Sequence, residues 1–347
     1  MAGSTYGNIF KITTWGESHG AALGVVIDGC PAGLPLTAED IQKYLDRRKP
    51  GQNSTTTARA ESDLVEILSG VFEGVTTGTP ISLMVRNADQ HSKDYSNIAS
   101  VYRPGHADYT FDTKYGIRDY RGGGRSSGRE TLSRVAAGAI AIKILDSLGI
   151  KVEAKAFSIG PITLENGMNE EAVKFIEQCK LEQNSVGGSI ECKITGMPVG
   201  IGDTVFEKLD ANLAKAMMSI GAVKAVEIGD GVKVSTALAS ENNDAFCIKD
   251  GTPCKETNHS GGILGGMSDG DTIVIKAHIK PTPSISRPQA TINKNGEETT
   301  IEIHGRHDPC IVPRAIVVVE AMAALTILDA LLLNMTAKLD NIKKFYE

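Results

Sequence analysis

A run of apolar residues near the carboxyl end, at positions 315–335, constrains the fold of this chain more than any other feature. The run is long enough to cross a membrane, yet it contains Glu320 and Asp329 and begins beside Arg314. A charged side chain at the centre of a bilayer costs on the order of 3 kcal/mol. We therefore expect a helix buried in a large core or in an oligomer interface of a soluble protein, without membrane contact.

The composition is that of an ordinary globular protein. Of the 347 residues, 41% are hydrophobic and 22% are charged, and the formal net charge is −6. This acidity gives no general attraction to nucleic acid or to anionic membranes. The six cysteines include no CxxC pair, and the amino end does not resemble a secretory segment. We therefore expect free thiols, a cytoplasmic location and no metal site.

Helical and strand-like segments follow one another irregularly along the chain. Helical patterns cover residues 37–48, 169–181 and 206–218, and strand patterns cover 64–68, 81–85 and 272–279. The mixture lacks the regular strand–helix alternation of a doubly wound fold and indicates an α+β protein. Since no linker or low-complexity tract divides the chain, we expect a single domain over residues 1–347.

Three short segments of the first half recur in the same order in the second half. Residues 27–34 resemble 194–201, residues 65–71 resemble 226–232, and residues 144–148 resemble 327–331. Any one match could arise by chance, but their order predicts two related halves. Each half would then supply a sheet and flanking helices, and the two sheets could share one core.

Arginine is distributed unevenly. Six of the 13 arginines lie between Arg103 and Arg134, and none lies between residues 135 and 286. A guanidinium group can bind phosphate or carboxylate through two hydrogen bonds at once. The cluster therefore predicts a binding site for a ligand that carries phosphate and other negative charges.

Residues 121–130, Arg-Gly-Gly-Gly-Arg-Ser-Ser-Gly-Arg-Glu, lie within this cluster. Ser127 and Glu130 fit a capping box, which predicts a helix that begins at Ser127. Arg125 and Arg129 would then lie at the positive end of the helix dipole, where a bound anion would stabilise them. The segment fits neither a P-loop nor a dinucleotide-binding fingerprint. The alternative is an ordinary glycine loop with solvated arginines.

Two histidines lie in glycine-flanked turns beside carboxylates: His19 within residues 16–20 and His106 within residues 103–108. Because histidine titrates near neutral pH, both are candidate general acids. Hydrogen-bonded histidines without a chemical role are the alternative. Residues 305–310 combine a guanidinium, an imidazole and the carboxylate of Asp308, and four glycines within residues 260–268 would permit close approach of a ligand.

Together these segments resemble the chorismate synthase family over nearly the whole chain. The resemblance is carried by Gly-Glu-Ser-His-Gly at 16–20, Arg-Arg-Lys-Pro-Gly at 47–51, Arg-Pro-Gly-His-Ala-Asp at 103–108, residues 120–130, residues 261–266 and Gly-Arg-His-Asp-Pro-Cys at 305–310. It implies a single-domain β-α-β sandwich of two antiparallel sheets with flanking helices. The candidate pseudo-two-fold repeat is compatible with that fold. The resemblance also implies a homotetramer.

The resemblance further implies an anti-1,4-elimination that converts 5-enolpyruvylshikimate 3-phosphate to chorismate and phosphate. Reduced FMN is required, although the reaction involves no net redox change. By the same resemblance, His19 would protonate the departing phosphate and His106 would protonate the reduced flavin. Asp308 would assist removal of the substrate proton.

The resemblance also implies which residues bind each ligand. The substrate's phosphate and carboxylates would contact Arg48, Arg103, Arg134 and Arg306. FMN would contact Arg125, Ser126, Ser127, Gly221, Ala222, Gly265, Lys280, Pro281, Thr282, Pro283, Ser284 and Arg306. NADPH is a candidate reductant of the flavin, with Arg48 and Ser54 as candidate contacts.

Two positions depart from the family pattern. Many members have asparagine where this chain has Gly221, so a side-chain hydrogen bond is missing there. Many also have a basic residue at the position of Ser54, which weakens the expectation of a charged contact.

Two alternative functions are compatible with parts of the sequence. A flavin reductase could use the same FMN site and would oxidise NADPH without elimination. An RNA-binding protein could use the arginine–glycine tract, but the net acidity and the aromatic content of 5% disfavour it.

Overall fold

Two five-stranded antiparallel sheets form the outer layers of the molecule, with helices between them. In the computed structural model, residues 3–49, 63–87, 98–165, 167–303 and 307–347 are described. The strands of the first half are β1 (Thr5–Tyr6), β2 (Lys11–Gly16), β3 (Ala22–Asp28), β4 (Val65–Ile67), β5 (Val71–Phe72), β6 (Val75–Thr76) and β7 (Ile81–Arg86). Those of the second half are β8 (Lys151–Ile159), β9 (Ile162–Thr163), β10 (Gly188–Thr195), β11 (Val223–Ile228), β12 (Phe246–Lys249), β13 (Thr252–Lys255), β14 (Ile263–Leu264), β15 (Met267–Ser268), β16 (Ile273–Ile279), β17 (Gln289–Ile292) and β18 (Glu298–Ile301).

The helices are α1 (Ala38–Arg48), α2 (Asp108–Tyr115), α3 (Thr131–Ser147), α4 (Glu170–Leu181), α5 (Leu209–Met218), α6 (Ala239–Asn242), α7 (Val312–Asn334) and α8 (Leu339–Tyr346). Helix α3 packs on strands β2, β3 and β7 of the first sheet, α7 packs on β8 and β10 of the second, and α3 and α7 pack on each other. This arrangement is the β-α-β sandwich that the resemblance implies.

The strands alternate between buried and accessible side chains, as expected for sheets with one covered face. In β16 the alternation is complete, with Ile273, Ile275, Ala277 and Ile279 buried. In β2, Ile12 and Thr14 face inward. One continuous hydrophobic cluster includes the apolar inward positions of both sheets and the buried faces of α3 and α7.

Helix α7 contains all but the last residue of the apolar run at positions 315–335. It is long and apolar enough to cross a membrane, but 72% of its most apolar window is buried inside the protein. Its two carboxylates have partners: Glu320 pairs with Arg47 at 2.7 Å and accepts the Ala154 N–H, whereas Asp329 accepts the N–H groups of residues 8–10. The prediction of a buried core helix is confirmed.

The local predictions are confirmed with small shifts of boundary. Thr37 and Asp40 form a complete capping box at the start of α1, and Asn169 caps α4. Helix α5 begins at Leu209, three residues later than the pattern indicated, because the preceding segment is a turn. All six cysteines are free thiols.

Six main elements in each half of the chain occur in the same order, with other elements between them. In the first half, β2, β3, α1, β4, β7 and α3 succeed one another, and in the second half β8, β10, α5, β11, β16 and α7 do so. The sheet orders also match: β2-β3-β7-β4 in one and β8-β10-β16-β11 in the other. The three sequence matches begin on corresponding elements. The repeat itself stays a prediction.

Candidate active site

The turn that contains His19 connects β2 to β3 and contacts the arginine–glycine tract. His19 is buried, and its Nδ1 lies 3.2 Å from Ser18 Oγ. Gly122 lies so close that a Cβ atom there would be 2.5 Å from His19 Nδ1, and its φ of +67° also favours glycine. A histidine and a glycine tract about 100 residues apart in the sequence therefore meet in the fold.

The start of α3 differs in detail from the predicted capping box. Ser127 caps a 3₁₀ helix (Gly128–Glu130) by accepting the Arg129 N–H, and α3 begins only at Thr131. The Glu130 carboxylate does not return to Ser127, because its oxygens accept Thr14 Oγ1 at 3.0 Å and Arg134 Nε at 2.8 Å. The capping-box prediction is wrong on this point, since two partners from other parts of the site hold the carboxylate.

Arg125 and the two serines after it lie at this helix start. Arg125 donates to the carbonyl oxygens of Thr14 and Gly16 and, at 2.6 Å, to Thr14 Oγ1. Ser126 Oγ donates to the Gly123 carbonyl at 2.7 Å. The guanidinium therefore lies against the end of β2, and the tract folds over the His19 turn.

Arg48 and Arg129 flank the buried carboxylate of Asp63. Asp63 Oδ2 lies 3.2 Å from Arg48 Nη1, and Asp63 Oδ1 lies 3.0 Å from Arg129 Nη2. Arg48 also donates to the Gly128 carbonyl and to Thr131 Oγ1. Burial, and then repulsion by Arg314, lower the pKa of Arg48 to about 10. Positive charge is thus crowded beside the start of α3.

Arg103 forms a second buried ion pair, with Asp108. Its Nε and Nη2 donate to the two carboxylate oxygens at 2.8 Å each, and its own backbone N–H donates to Oδ2. Arg118 adds a contact of 3.4 Å to the same carboxylate. Burial alone would raise the pKa of Asp108, but the hydrogen bonds and charge of Arg103 outweigh it and lower the pKa.

His106 bridges the Arg103 loop and the segment after β16. Its Nδ1 lies 3.0 Å from the Pro104 carbonyl and its Nε2 lies 3.0 Å from Ser284 Oγ. Because a carbonyl oxygen only accepts, we assign the proton to Nδ1, and Nε2 then accepts from the serine hydroxyl. Burial, followed by repulsion from Arg103, lowers the pKa of His106 to about 4.

The segment 280–284 lies against this histidine loop. Lys280 Nζ donates to the Gly105 carbonyl at 2.8 Å, and a Cβ atom at Gly105 would lie 2.7 Å from Pro283. The Lys280 N–H donates to the Ala222 carbonyl, which brings the pair Gly221 and Ala222 to the same place. The Thr282 hydroxyl is buried and has no hydrogen-bond partner within the described part of the chain.

Arg134 and Asp308 extend the group. Arg134 Nη1 donates to Ser219 Oγ at 2.6 Å, two residues before Gly221. Arg314 donates to Asp308 and also to the Arg48 carbonyl, which ties Asp308 to the end of α1. Gly265 forms the turn between β14 and β15, beside the start of α5, to which the Gly266 carbonyl is hydrogen-bonded. Ser54 and Arg306 lie outside the described residues.

The structure thus brings together most of the site residues named from the sequence, and it adds two that sequence reasoning missed. Asp63 joins Arg48 to Arg129, and Asn87 joins Arg129 to the His19 turn. Neither lies in a glycine-rich or arginine-rich segment. Each becomes visible only when the fold places the arginines beside it.

The fold and this group of side chains fit an α+β enzyme for a small molecule that carries several negative charges. Comparisons with known proteins make the class specific. The chorismate synthase family model matches residues 10–332. The chain is 62% identical to a chorismate synthase of Agathobacter rectalis, covering 100% of both chains, and 56% identical to one of Methanocella arvoryzae, covering 96% of this chain and 95% of that protein.

A crystal structure of a chorismate synthase is also similar, with a TM-score of 0.76 and 30% identity over 98% of this chain and 97% of that one. The chain belongs to the chorismate synthase family. These enzymes eliminate phosphate from 5-enolpyruvylshikimate 3-phosphate to form chorismate in the shikimate pathway, and they use reduced FMN.

Proposed function

We propose that the family's elimination takes place where the His19 turn, the start of α3 and the segment 280–284 meet. The observation that carries this proposal is the crowding of positive charge there. This crowding has an energetic cost, because burial and the charge of Arg314 disfavour the charged form of Arg48 and lower its pKa. A phosphorylated dicarboxylate would offset that cost because each of its anions stabilises a nearby guanidinium. The substrate arginines would be Arg48, Arg103, Arg134 and Arg306.

Three side chains would take part in proton transfer. His19 would hold a proton for the departing phosphate oxygen, since its turn lies beside the glycine tract. Asp308 would assist removal of the substrate proton. His106 is neutral near pH 7 in the absence of an anion, because its pKa is lowered to about 4. An anion bound beside Arg103 would raise that pKa and allow Nε2 to hold a proton for transfer.

One observation supports a bound ligand at the residues proposed to hold FMN. The Thr282 hydroxyl is buried with no partner among the described residues, and such a group is costly unless a ligand or water bonds to it. The FMN contacts would be Arg125, Ser126, Ser127, Gly221, Ala222, Gly265, Arg306 and residues 280–284. When bound in the reduced form, FMN supplies the transient electron donation that eases loss of phosphate.

We further propose a reductant for the flavin, an oligomeric state and a cellular location. NADPH would serve as a reductant of the flavin, with Arg48 and Ser54 as its contacts. The chain would form a single domain over residues 1–347, assemble as a homotetramer and act in the cytoplasm. The single hydrophobic cluster shared by both sheets supports the one-domain part.

The experiment that tests this function measures phosphate release from 5-enolpyruvylshikimate 3-phosphate with chemically reduced FMN under anaerobic conditions. We expect phosphate and chorismate in equal amounts. Replacing His106 by alanine should slow turnover by roughly a hundredfold, as expected for loss of a general acid. NADPH oxidation by the flavin-loaded protein without phosphate release would instead identify the flavin reductase alternative.

A further inference from the structure

The side chain of Asn87 joins two parts of the candidate site that are distant in the sequence. Asn87 follows β7 directly, and its Nδ2 lies 3.1 Å from the Glu17 carbonyl and 2.8 Å from the Gly20 carbonyl. These carbonyls delimit the turn that contains His19. On its other side, Asn87 Oδ1 accepts Arg129 Nε at 3.2 Å and Arg129 Nη2 at 3.0 Å.

The chemistry of its neighbours fixes the orientation of this amide. Carbonyl oxygens only accept hydrogen bonds and guanidinium groups only donate them, so the reversed amide would face like groups on both sides. The two amide hydrogens and the two lone pairs of the oxygen are all used. Aspartate at this position would keep the contacts to Arg129 but lose both donors to the His19 turn.

The same chain of contacts continues through Arg129 to the buried carboxylate of Asp63 and the guanidinium of Arg48. Arg129 Nη2 bonds to Asp63, and Asp63 bonds to Arg48. The backbone of Asn87 adds a further link, since its N–H donates to the Ala21 carbonyl at 3.1 Å. The position of the His19 turn is therefore coupled, through one amide group, to the two arginines that flank Asp63.

We propose that Asn87 is a positioning residue for the elimination. It sets the distance between the imidazole of His19 and the phosphate group that the neighbouring arginines hold. This inference rests on the role proposed above for His19. A displacement of about 1 Å of an acid relative to its substrate can slow a reaction on the order of a hundredfold.

The first test is Asn87→Asp, assayed by anaerobic phosphate release with reduced FMN. We expect kcat to fall by about 10- to 100-fold while KM changes by less than about threefold, because Arg129 keeps its acceptor. The matched control is Asn169→Asp. Asn169 caps α4 through its side-chain oxygen, which aspartate retains, so kcat should stay within about twofold of the wild-type value.

The second test is a double-mutant cycle with His19→Ala. If Asn87 acts through His19, then Asn87→Asp should lower kcat by less than about twofold in the His19→Ala background. Multiplying losses in the double variant would show that Asn87 only supports the fold, and near-normal kcat in Asn87→Asp alone would also overturn the inference. If Asn87→Asp does not fold, the uncharged Asn87→Ser replaces it in the same cycle, with the same expected pattern.

The two proposals fail in different ways. Near-normal turnover in His19→Ala alone removes the proposed role of His19 and the inference about Asn87 with it. A large loss in His19→Ala together with normal turnover in Asn87→Asp leaves the proposed function intact and removes only the positioning role.

Discussion

Each half of the chain buries a group of charges, and the two groups have opposite patterns. In the first half, one carboxylate, Asp63, lies between the guanidiniums of Arg48 and Arg129. In the second half, one ammonium, Lys255, lies within 3.4 Å of three carboxylates. Those carboxylates belong to Asp244, Asp269 and Asp271.

The second group satisfies its negative charges by itself. Asp244 accepts Thr257 Oγ1 and the His259 N–H at 2.7 Å each, and the Ser260 N–H at 3.0 Å. Burial alone would raise the pKa of Asp244, but these hydrogen bonds outweigh it and lower the pKa. The group therefore needs no ligand, and it holds the β12–β13 ribbon to the start of β16.

The first group differs because it has more positive than negative charges, two guanidiniums on one carboxylate. The lowered pKa of Arg48 shows that its charged form is disfavoured there. Burial and the charge of Arg314 lower the pKa of Arg48 to about 10, so an anion placed there would be stabilising. A buried ion group is therefore a candidate binding site when burial and repulsion leave its charged form destabilised. It is a structural support when hydrogen bonds already stabilise its charges.

The largest expected effect comes from Asp63→Asn. Loss of this buried charge leaves two guanidiniums facing a neutral amide and should lower the free energy of unfolding by about 3–5 kcal/mol. Turnover should fall as well, because both arginines lose their alignment. Urea denaturation and phosphate release measure the two effects.

Asp244→Asn is the matched control for that prediction. Lys255 keeps Asp269 as a partner there, so the free energy of unfolding should fall by only about 1–3 kcal/mol. Turnover per folded molecule should stay within about twofold. If Asp244→Asn reduced turnover as strongly as Asp63→Asn, the distinction between the two groups would be lost.

A smaller effect concerns pH and His106. Its pKa in the folded protein, about 4, lies below its ordinary value of 6.5, so the unfolded chain binds more protons between these values. The free energy of unfolding should therefore fall as pH drops from 6.5 towards 4, and this contribution is fully present above pH 6.5. His106→Gln, which cannot be protonated, should lose less stability between pH 7 and pH 5 than the wild-type protein does. Equal losses in urea titrations at the two pH values would contradict the assigned shift.

The smallest effects come from two threonines, one in the segment proposed to contact FMN and one beside Asp244 of the second group. Thr282→Val removes a buried hydroxyl that has no hydrogen-bond partner in the described ranges of the chain, so stability without flavin should change by less than about 1 kcal/mol while FMN binding weakens several-fold. Thr257→Val removes the hydrogen bond to Asp244 and should lower stability by about 1 kcal/mol with FMN binding unchanged. Fluorescence titration with FMN distinguishes the two variants, and the reverse pattern would refute the proposed cofactor contact.

Local sequence signals predicted much of the fold. The helical pattern at residues 37–48 located α1, and the charges within the run 315–335 correctly placed α7 in a core. Periodicity located β7 and β16 to within one residue. These features depend on neighbours in the sequence, which is why a single chain reveals them.

The site was only partly predictable because many of its contacts join residues that are distant in the sequence. The arginine–glycine tract and the two histidine turns stood out by composition, but their partners did not. Asp63 and Asn87 are ordinary residues in the sequence, and their roles depend on contacts with residues up to 70 positions away. Glu130 was assigned to a local cap, whereas long-range partners hold it.

The most direct test of this account exchanges arginine and lysine in the two groups. Arg48→Lys keeps the charge but loses the planar fork, so the single-turnover rate of anaerobic phosphate release should fall about 10- to 100-fold in a folded protein. Lys255→Arg should lower the free energy of unfolding by about 1–3 kcal/mol through overpacking, yet release phosphate within about twofold of the wild-type rate. A normal rate in Arg48→Lys, or an equal loss of rate in Lys255→Arg, would contradict the claim that the first group binds the substrate and the second only supports the fold.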